Sequence, residues 1–311
     1  MIRLLTLIAI SLLSSSSYAI DICDVLNLKN CSGVTKQGRR TSLQSLPSPA
    51  TSAMLNPATT SFDRGIGVEL IHQSGNNLVW NLASGTGKLG GALISSSLEN
   101  SFFGNRVSEI DNDYLERNLN KKQYVTKKHS LALGGKLFRK KHVSLDVGLM
   151  LKRHTKIGRI NPGVGASGQL GPFRLGAAHY QDDFYLRGNS LDGTESYSER
   201  FMVSTYSIGT KIYNFSFDVG AIKTRYKRDE KDTEIFIYSG SYIYKNIMFN
   251  LAHRSEKSPA PKFIDDRLEY REETSNIFAG IQASLGKHLI LGVNYNYFLL
   301  QEVSFLATIS L

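Results

Sequence analysis

In this 311-residue chain, the residues whose types and spacing could do chemistry are charged side chains in predicted strands, where they alternate with apolar residues. Every second side chain of an extended strand points to the same face, so these charges would share one face. Charges of both signs in a narrow interior must pair or meet water. They could guide a solute, or they could form a structural network that fills the interior, which is the preferred interpretation. The seven candidates are Glu69, Lys136, Asp146, Lys152, Arg174, Asp218 and Arg254.

Apolar side chains fall on the same predicted face as these charges. Met150, Ile222, Phe298 and Leu306 are examples. Ligand pockets combine an apolar lining with a few polar groups that fix orientation. A lining that is partly apolar and partly charged therefore suits an amphiphilic solute better than a wide pore for sugars or ions.

Catalytic chemistry finds little support in the seven histidines. They are scattered, with neither an HExxH motif nor paired metal-ligand spacing. His253, Arg254 and Ser255 put a histidine beside a serine, as a lipid hydrolase would need at one rim, but such a neighbour arises by chance among many serines. Gly163-Val164-Gly165 and Gly85-Thr86-Gly87-Lys88 are interpreted as strand or turn glycines, since neither lies between a strand and a helix. We expect no enzyme, no metal and no cofactor.

The composition excludes a bundle of transmembrane helices and leaves a strand-built membrane protein open. Hydrophobic residues make up 41% of the chain and the mean hydropathy is −0.20, which fits a barrel in which only alternate residues face lipid. The formal net charge is +10, but its basic residues are scattered over turns and strand ends. Without a basic helix or an aromatic-basic motif, we expect no nucleic-acid partner. Contact with anionic lipid head groups or ordinary solvation explains the charge.

Residues 1–19 have the layout of a secretory signal peptide. Arg3 supplies the positive start, residues 4–13 the apolar run, and Ser17-Tyr18-Ala19 the small residues of a cleavage site. The apolar run is too short to span a membrane. We expect cleavage after Ala19 and an exported product.

The two cysteines, Cys23 and Cys31, follow this cleavage site. In an exported protein such a pair favours one small disulfide over a metal site or a nucleophile. Acylation of Cys23 as a lipoprotein is the alternative, and Asp21 and Ile22 make a poor sequence for it.

Period-two alternation dominates the chain from residue 64 onward and is clearest in residues 289–311, where Leu291, Val293 and Tyr295 alternate with small or polar residues. Such alternation predicts extended strands with one apolar face, about fourteen of them by this count. Residues 20–63 show no alternation and contain several prolines. They form either a disordered leader or a compact segment packed against or inside the strands.

The connections between the predicted strands alternate in length. Short turns at Gly85, Arg139, Gly171, Tyr213, Lys245 and Gly286 follow even-numbered strands, and long loops at 98–126, 181–198 and 255–267 follow odd-numbered ones. This alternation is typical of an outer-membrane barrel with short periplasmic turns and longer external loops. It favours an all-β transmembrane antiparallel barrel over a secreted sandwich. We expect both termini in the periplasm, the last strand paired with the strand near Ile66, and tyrosines in interfacial girdles.

The stretch from Asn56-Pro57-Ala58 to Phe62-Asp63-Arg64 resembles a junction in the outer-membrane long-chain fatty-acid transporter (FadL-like) family. There an Asn-Pro-Ala motif lies in an N-terminal hatch inside the barrel. The resemblance implies a hatch or plug at residues 20–63 and a monomeric barrel at 64–311, and these six residues, of which Arg64 is at the boundary, would be hatch residues by match. It also implies that hydrophobic solutes enter from outside, reach an internal pocket and leave sideways.

The chain departs from that family in its short external loops, in the Cys23–Cys31 region and in its final Leu311, where an aromatic is usual. Two functions therefore remain. One is passive uptake of a fatty-acid-like hydrophobic or amphiphilic molecule, gated by the hatch. The other is a scaffold or surface-interaction barrel without transport, which the long charged loop 98–126 suits. The expected partners are lipid and lipopolysaccharide of a Gram-negative outer membrane and a hydrophobic small-molecule ligand.

Overall fold

The computed structural model describes residues 53, 55–61, 64–73, 77–95, 128–140, 143–155, 157–186, 197–226, 232–256, 261–264, 267–270, 274–285, 289–296 and 302–310. Several predicted features lie outside these residues: the signal peptide, the cysteine pair, residues 20–52 of the proposed hatch with Phe62 and Asp63, the loop 98–126, the turn at Gly286, Phe298 and Leu311. Arg64, the sixth hatch residue by resemblance, is the first residue of the first strand.

Fourteen antiparallel strands close into a barrel, as the alternation predicts. The last strand pairs with the first, with Ile309 opposite Ile66 and Phe305 opposite Leu70, so the wall has no free edge. The strands are β1 (Arg64–Gln73), β2 (Asn77–Thr86), β3 (Leu89–Ser95), β4 (Lys128–Lys140), β5 (Val143–His154), β6 (Ile160–Leu170), β7 (Phe173–Leu186), β8 (Tyr197–Ile212), β9 (Phe215–Tyr226), β10 (Asp232–Tyr244), β11 (Ile247–Glu256), β12 (Pro261–Ile264), β13 (Arg267–Tyr270), β14 (Thr274–Leu285), β15 (Leu289–Asn296) and β16 (Glu302–Ser310); all but β12 and β13 belong to the barrel.

The barrel wall is apolar outside and mixed inside. In β5, Leu149 and Leu151 point outward and are 62% and 47% exposed, whereas Asp146, Met150 and Lys152 alternate with them and are buried. A soluble sheet protein would bury the leucines. The outward apolar band is the arrangement that strands adopt when their solvent is lipid.

Two-residue turns join several of the strands at one end of the barrel. β6 passes to β7 at Gly171, β8 to β9 at Tyr213, and β10 to β11 at Lys245, and all three residues have positive φ, between 52° and 59°. A left-handed first residue matches the twist of a tight hairpin. Tyr213 and Lys245 adopt it although they carry a Cβ.

Two predicted loop boundaries are wrong. β12 and β13 form a two-stranded hairpin within and just beyond the predicted loop 255–267, and β14 begins at Thr274 rather than near residue 270. Pro261 is the first residue of β12, a position where a strand tolerates proline. β7 continues to Leu186, past the predicted loop start at residue 181. The polar residues from Gln181 to Asp183 resemble a loop in sequence, but they can belong to a strand because the interior of such a barrel can be polar.

A short 3₁₀ helix, Pro57–Ser61, precedes β1. Among the described residues, no helix has the length and apolar character needed to cross a bilayer.

Candidate functional site

The 3₁₀ helix Pro57–Ser61 lies inside the barrel against the inner faces of β3, β4, β5 and β6. Asn56 precedes the helix and caps it, because its Oδ1 accepts a hydrogen bond of 3.0 Å from the backbone nitrogen of Ala58. Pro57 occupies the first helical position, where its missing N–H costs nothing. The sequence Asn-Pro-Ala therefore encodes a compact bend. We call residues 56–60 the docked turn.

A row of glycines on the wall makes room for the docked turn. Gly90, Gly134, Gly148 and Gly165 lie on four consecutive strands and pair with one another in register. A Cβ on any of them would overlap the docked turn: Thr60 at Gly90 and Gly134, the Pro57–Ala58 peptide at Gly148, and the Asn56 side chain at Gly165. We call these four residues the glycine row.

Hydrogen bonds attach the docked turn and the residue before it to the wall at both ends of the glycine row and on β8. Asn56 Nδ2 donates to the carbonyl oxygen of Ala166 at 2.8 Å. The hydroxyl of Thr60 lies 3.2 Å from the carbonyl oxygen of Gly90 and 3.0 Å from that of Pro57, and can donate its single proton to either. The Thr205 hydroxyl on β8 donates to the carbonyl oxygen of Leu55 at 2.8 Å. The contact thus combines close backbone approach with satisfied polar groups.

A layer of alanines continues this surface beside the glycine row. Ala83, Ala92 and Ala132 face one another in register across β2, β3 and β4. They pack with Ala53 and Ile94 in one buried apolar cluster. Small side chains thus let the N-terminal segment approach the wall over five strands, β2 to β6.

An ion cluster occupies another part of the interior, at the end of the barrel where β4 begins and β7 ends. Asp182 accepts hydrogen bonds from Lys128 Nζ at 2.8 Å and Lys152 Nζ at 3.1 Å. Lys152 Nζ also lies 3.9 Å from the centroid of the Tyr180 ring, and Lys128 Nζ lies 5.6 Å from that of Phe201. Both lysines and Asp182 are buried, so the pairing offsets a large desolvation cost.

A second carboxylate extends this cluster. Asp183 accepts a hydrogen bond of 2.7 Å from Asn161 Nδ2, and its Oδ1 lies 3.6 Å from Arg200 Nε and 4.0 Å from Arg159 Nη1. Among the described residues, four cations therefore meet two carboxylates. The excess of positive charge would favour an anionic group over a cationic one at this end of the lumen.

The seven predicted interior charges do not all converge on one site, although Lys136 lies opposite Asp146 in the register of β4 and β5. Lys152 belongs to the ion cluster. Asp146, Asp218 and Arg254 are buried on β5, β9 and β11 and so are spread around the wall. Lys136 is partly buried and donates to the carbonyl oxygen of Gly87 at 2.8 Å, and Arg174 on β7 is also partly buried.

Of the remaining predicted residues, Glu69 lies opposite Asn81 and Leu306 in register, and its side chain is outside the described part of the chain. His253 is exposed on the outer face, with its ring 6.5 Å from that of Tyr238, whereas its neighbour Arg254 points inward. No three His, Cys, Asp or Glu side chains within the described ranges gather closely enough to hold a metal ion.

Sequence reasoning missed two features of the interior. Asp182 and Asp183 fell in a predicted loop, although Asp182 keeps the inward parity of Tyr180 in β7. Gly165 was interpreted only as a strand glycine. The available signal was that β4, β5 and β6 each carry a glycine at an inward position, but their register could not be known in advance.

Comparison with known proteins identifies the fold. Neither a family model nor a curated protein sequence matches the chain. The solved structure of a Pseudomonas aeruginosa FadL homologue matches with a TM-score of 0.50 and 11% identity, covering 88% of this chain and 98% of that one. The CymD monoaromatic hydrocarbon channel matches with a TM-score of 0.42 and 12% identity, covering 84% and 91%. The NanC porin matches at 0.39 and 10%, covering 79% and 98%.

At these identities the similarity concerns architecture alone. The chain has the closed antiparallel β-barrel fold of outer-membrane proteins, and among them it resembles the fold of the family to which the Asn-Pro-Ala stretch pointed.

Proposed function

We propose that the protein is an outer-membrane channel for passive uptake of a hydrophobic or amphiphilic small molecule, fatty-acid-like in character, and not an enzyme. One observation carries the proposal: the lumen holds the docked turn, which is seated on a wall shaped to receive it. A segment of the chain packed inside the lumen narrows the path that hydrated solutes would take. A channel for poorly soluble molecules needs such an obstacle to prevent leakage of ions and water.

The interior lining supports an amphiphilic ligand. Met150, Ile222, Ile237 and Leu306 are buried on inward faces. Among the described residues, the ion cluster at one end contains four cations and two carboxylates. An elongated molecule with an anionic head and an apolar tail matches both features, since a few polar groups fix orientation in an otherwise apolar site.

The proposed location is the outer membrane of a Gram-negative bacterium, with the protein as a monomer among lipids and lipopolysaccharide and both termini in the periplasm. The outward apolar side chains of the strands support this location, because exposed apolar area of this extent is avoided in water.

A Gram-negative host that lacks its own long-chain fatty-acid channel offers the test, because its lipopolysaccharide leaflet slows spontaneous entry of lipids. We expect cells that express the full chain to take up radiolabelled oleate faster than cells with an empty vector. In planar bilayers we expect low ion conductance for the full chain and higher conductance after deletion of residues 20–61. The proposal would be contradicted if cells with a correctly folded barrel took up oleate no faster than empty-vector cells and the deletion left the ion conductance unchanged.

A second candidate is a scaffold or surface-interaction barrel without transport. The observation that favours it is the ion cluster, whose lysine and aspartate side chains are less than a tenth exposed and are paired with one another. A lumen closed by such a network needs no solute. The oleate and conductance measurements separate the two functions, since a scaffold would be silent in both.

A further inference from the structure

We infer that the glycine row is an intramolecular docking site that determines where residues 56–60 rest within the lumen. The docking site itself does not depend on the proposed function. Only its role in transport rests on that function: if the barrel transports, the contact between the docked turn and the glycine row is the one that must open.

The first step is steric. Four glycines that face one another on adjacent strands leave a side-chain-free groove across the wall, and backbone can then approach backbone. At Gly148 both the carbonyl carbon of Pro57 and the nitrogen of Ala58 occupy the space of a Cβ. Neither atom belongs to a flexible side chain, so a larger residue would have to displace the whole turn.

The second step is that the groove recognises a particular bend. The cap formed by Asn56 and the fixed φ of Pro57 fold the segment into a turn narrow enough for the groove. The same Asn56 uses its Nδ2 to reach the carbonyl oxygen of Ala166, one residue beyond Gly165. Asn56 therefore both shapes the turn and bonds it to the wall. A nonspecific apolar contact would not require a particular residue at this position.

The third step is that the attachment is local. Within the described residues, the hydrogen bonds between the segment and the wall run from Leu55 to Thr60, and the side chains of this stretch are buried. A contact made of a few hydrogen bonds and one close-packed face can be released without unfolding the barrel. Replacing a glycine of the glycine row by a larger residue should fill the groove and release the docked turn.

The test measures access to Ala58, which is fully buried. In a chain whose native cysteines are replaced by serine, Ala58→Cys reacts with a membrane-impermeant maleimide added to vesicle-reconstituted protein. We expect slow labelling in this background. We expect labelling on the order of tenfold faster when Gly148→Val or Gly134→Val is added, because overpacking of a close contact costs enough to populate the released state.

Two glycines away from the docked turn serve as controls. Gly240→Val matches the test substitutions, and its Cβ on β10 would have only ordinary van der Waals neighbours. Gly292→Ala adds one on β15 that would meet the Gln282 side chain and not the docked turn. Neither should change the labelling of Ala58→Cys. Heat-modified migration on gels confirms that each variant retains a folded barrel.

Slow labelling in the folded Gly148→Val and Gly134→Val variants would overturn the docking site, as would fast labelling in the parent background. Absence of oleate uptake would instead remove the transport function and leave the docking result standing. A variant that fails to fold is replaced by Gly148→Ala, which introduces the same overlap with the smallest side chain, and the same two outcomes apply.

Discussion

Lys152 and Asp182 lie 3.1 Å apart in the barrel interior, with both side chains less than a tenth exposed. Asp182 also accepts a hydrogen bond from Lys128, so one carboxylate compensates two buried ammonium groups. This arrangement ties the end of β7 to the start of β4 and the end of β5.

Replacement of Asp182 by Asn should destabilise the barrel severely, because it removes the carboxylate that both buried lysines bind. We expect the free energy of unfolding to fall by about 3–5 kcal/mol. Urea titration of the refolded protein, followed by fluorescence of the single tryptophan, Trp80, measures the change. Lys223→Met is the control, because its partner Glu234 is 3.5 Å away and both side chains are over 40% exposed. It should cost under about 1 kcal/mol, and an equal loss in both variants would refute the special status of Asp182.

Replacement of Asn56 by Ala should weaken the docked turn through the loss of its cap and of the bond to Ala166. Loss of such a cap costs about 0.5–2 kcal/mol. Asn56→Ser can keep the cap acceptor but is too short to reach the wall, so its effect should be intermediate. Single-channel recording should show the fraction of time in a conducting state rising in the order Asn, Ser, Ala. Identical traces for the three proteins would contradict this order.

Replacement of Thr205 by Val should loosen the segment from β8, because only its hydroxyl reaches the carbonyl oxygen of Leu55. Loss of one buried hydrogen bond costs about 1 kcal/mol, which should accelerate labelling of Ala58→Cys several-fold. Thr210→Val is a control on the same strand, since its hydroxyl bonds to Pro172 in a turn and not to the segment. Equal acceleration by both substitutions would assign the effect to β8 as a whole.

Replacement of Leu149 by Arg should place a charge in lipid at the middle of β5. For a lipid-facing position near the bilayer midplane we expect the free energy of unfolding to fall by about 2–4 kcal/mol. For Val143→Arg, at the end of the same strand, we expect it to fall by only about 0–1 kcal/mol. Equilibrium refolding into phospholipid vesicles measures both variants. Equal costs at the two positions would contradict the proposed depth of β5 in the membrane.

The amino-acid sequence by itself determined the class of fold. In β5 the alternation of Leu149 and Leu151 with Asp146, Met150 and Lys152 assigns each side chain to a face, because the geometry of a strand has a period of two. The same argument, with the order of turns and loops, was sufficient for about fourteen strands and for the pairing of the last strand with the first. For Asn56-Pro57-Ala58 the sequence offered a family resemblance and a proline with fixed φ, whereas the cap that Asn56 forms was found only in the structure.

Only the tertiary structure decided which inward residues meet. Register is a relation between strands, and a shift by one residue moves a side chain to the other face. Gly134 and Gly148 are adjacent because β4 and β5 pair as they do, and the sequence separately shows two ordinary strand glycines. For the same reason Asp182, which resembles a loop residue along the chain, becomes the counter-ion of Lys128 and Lys152 once barrel closure brings β4, β5 and β7 together.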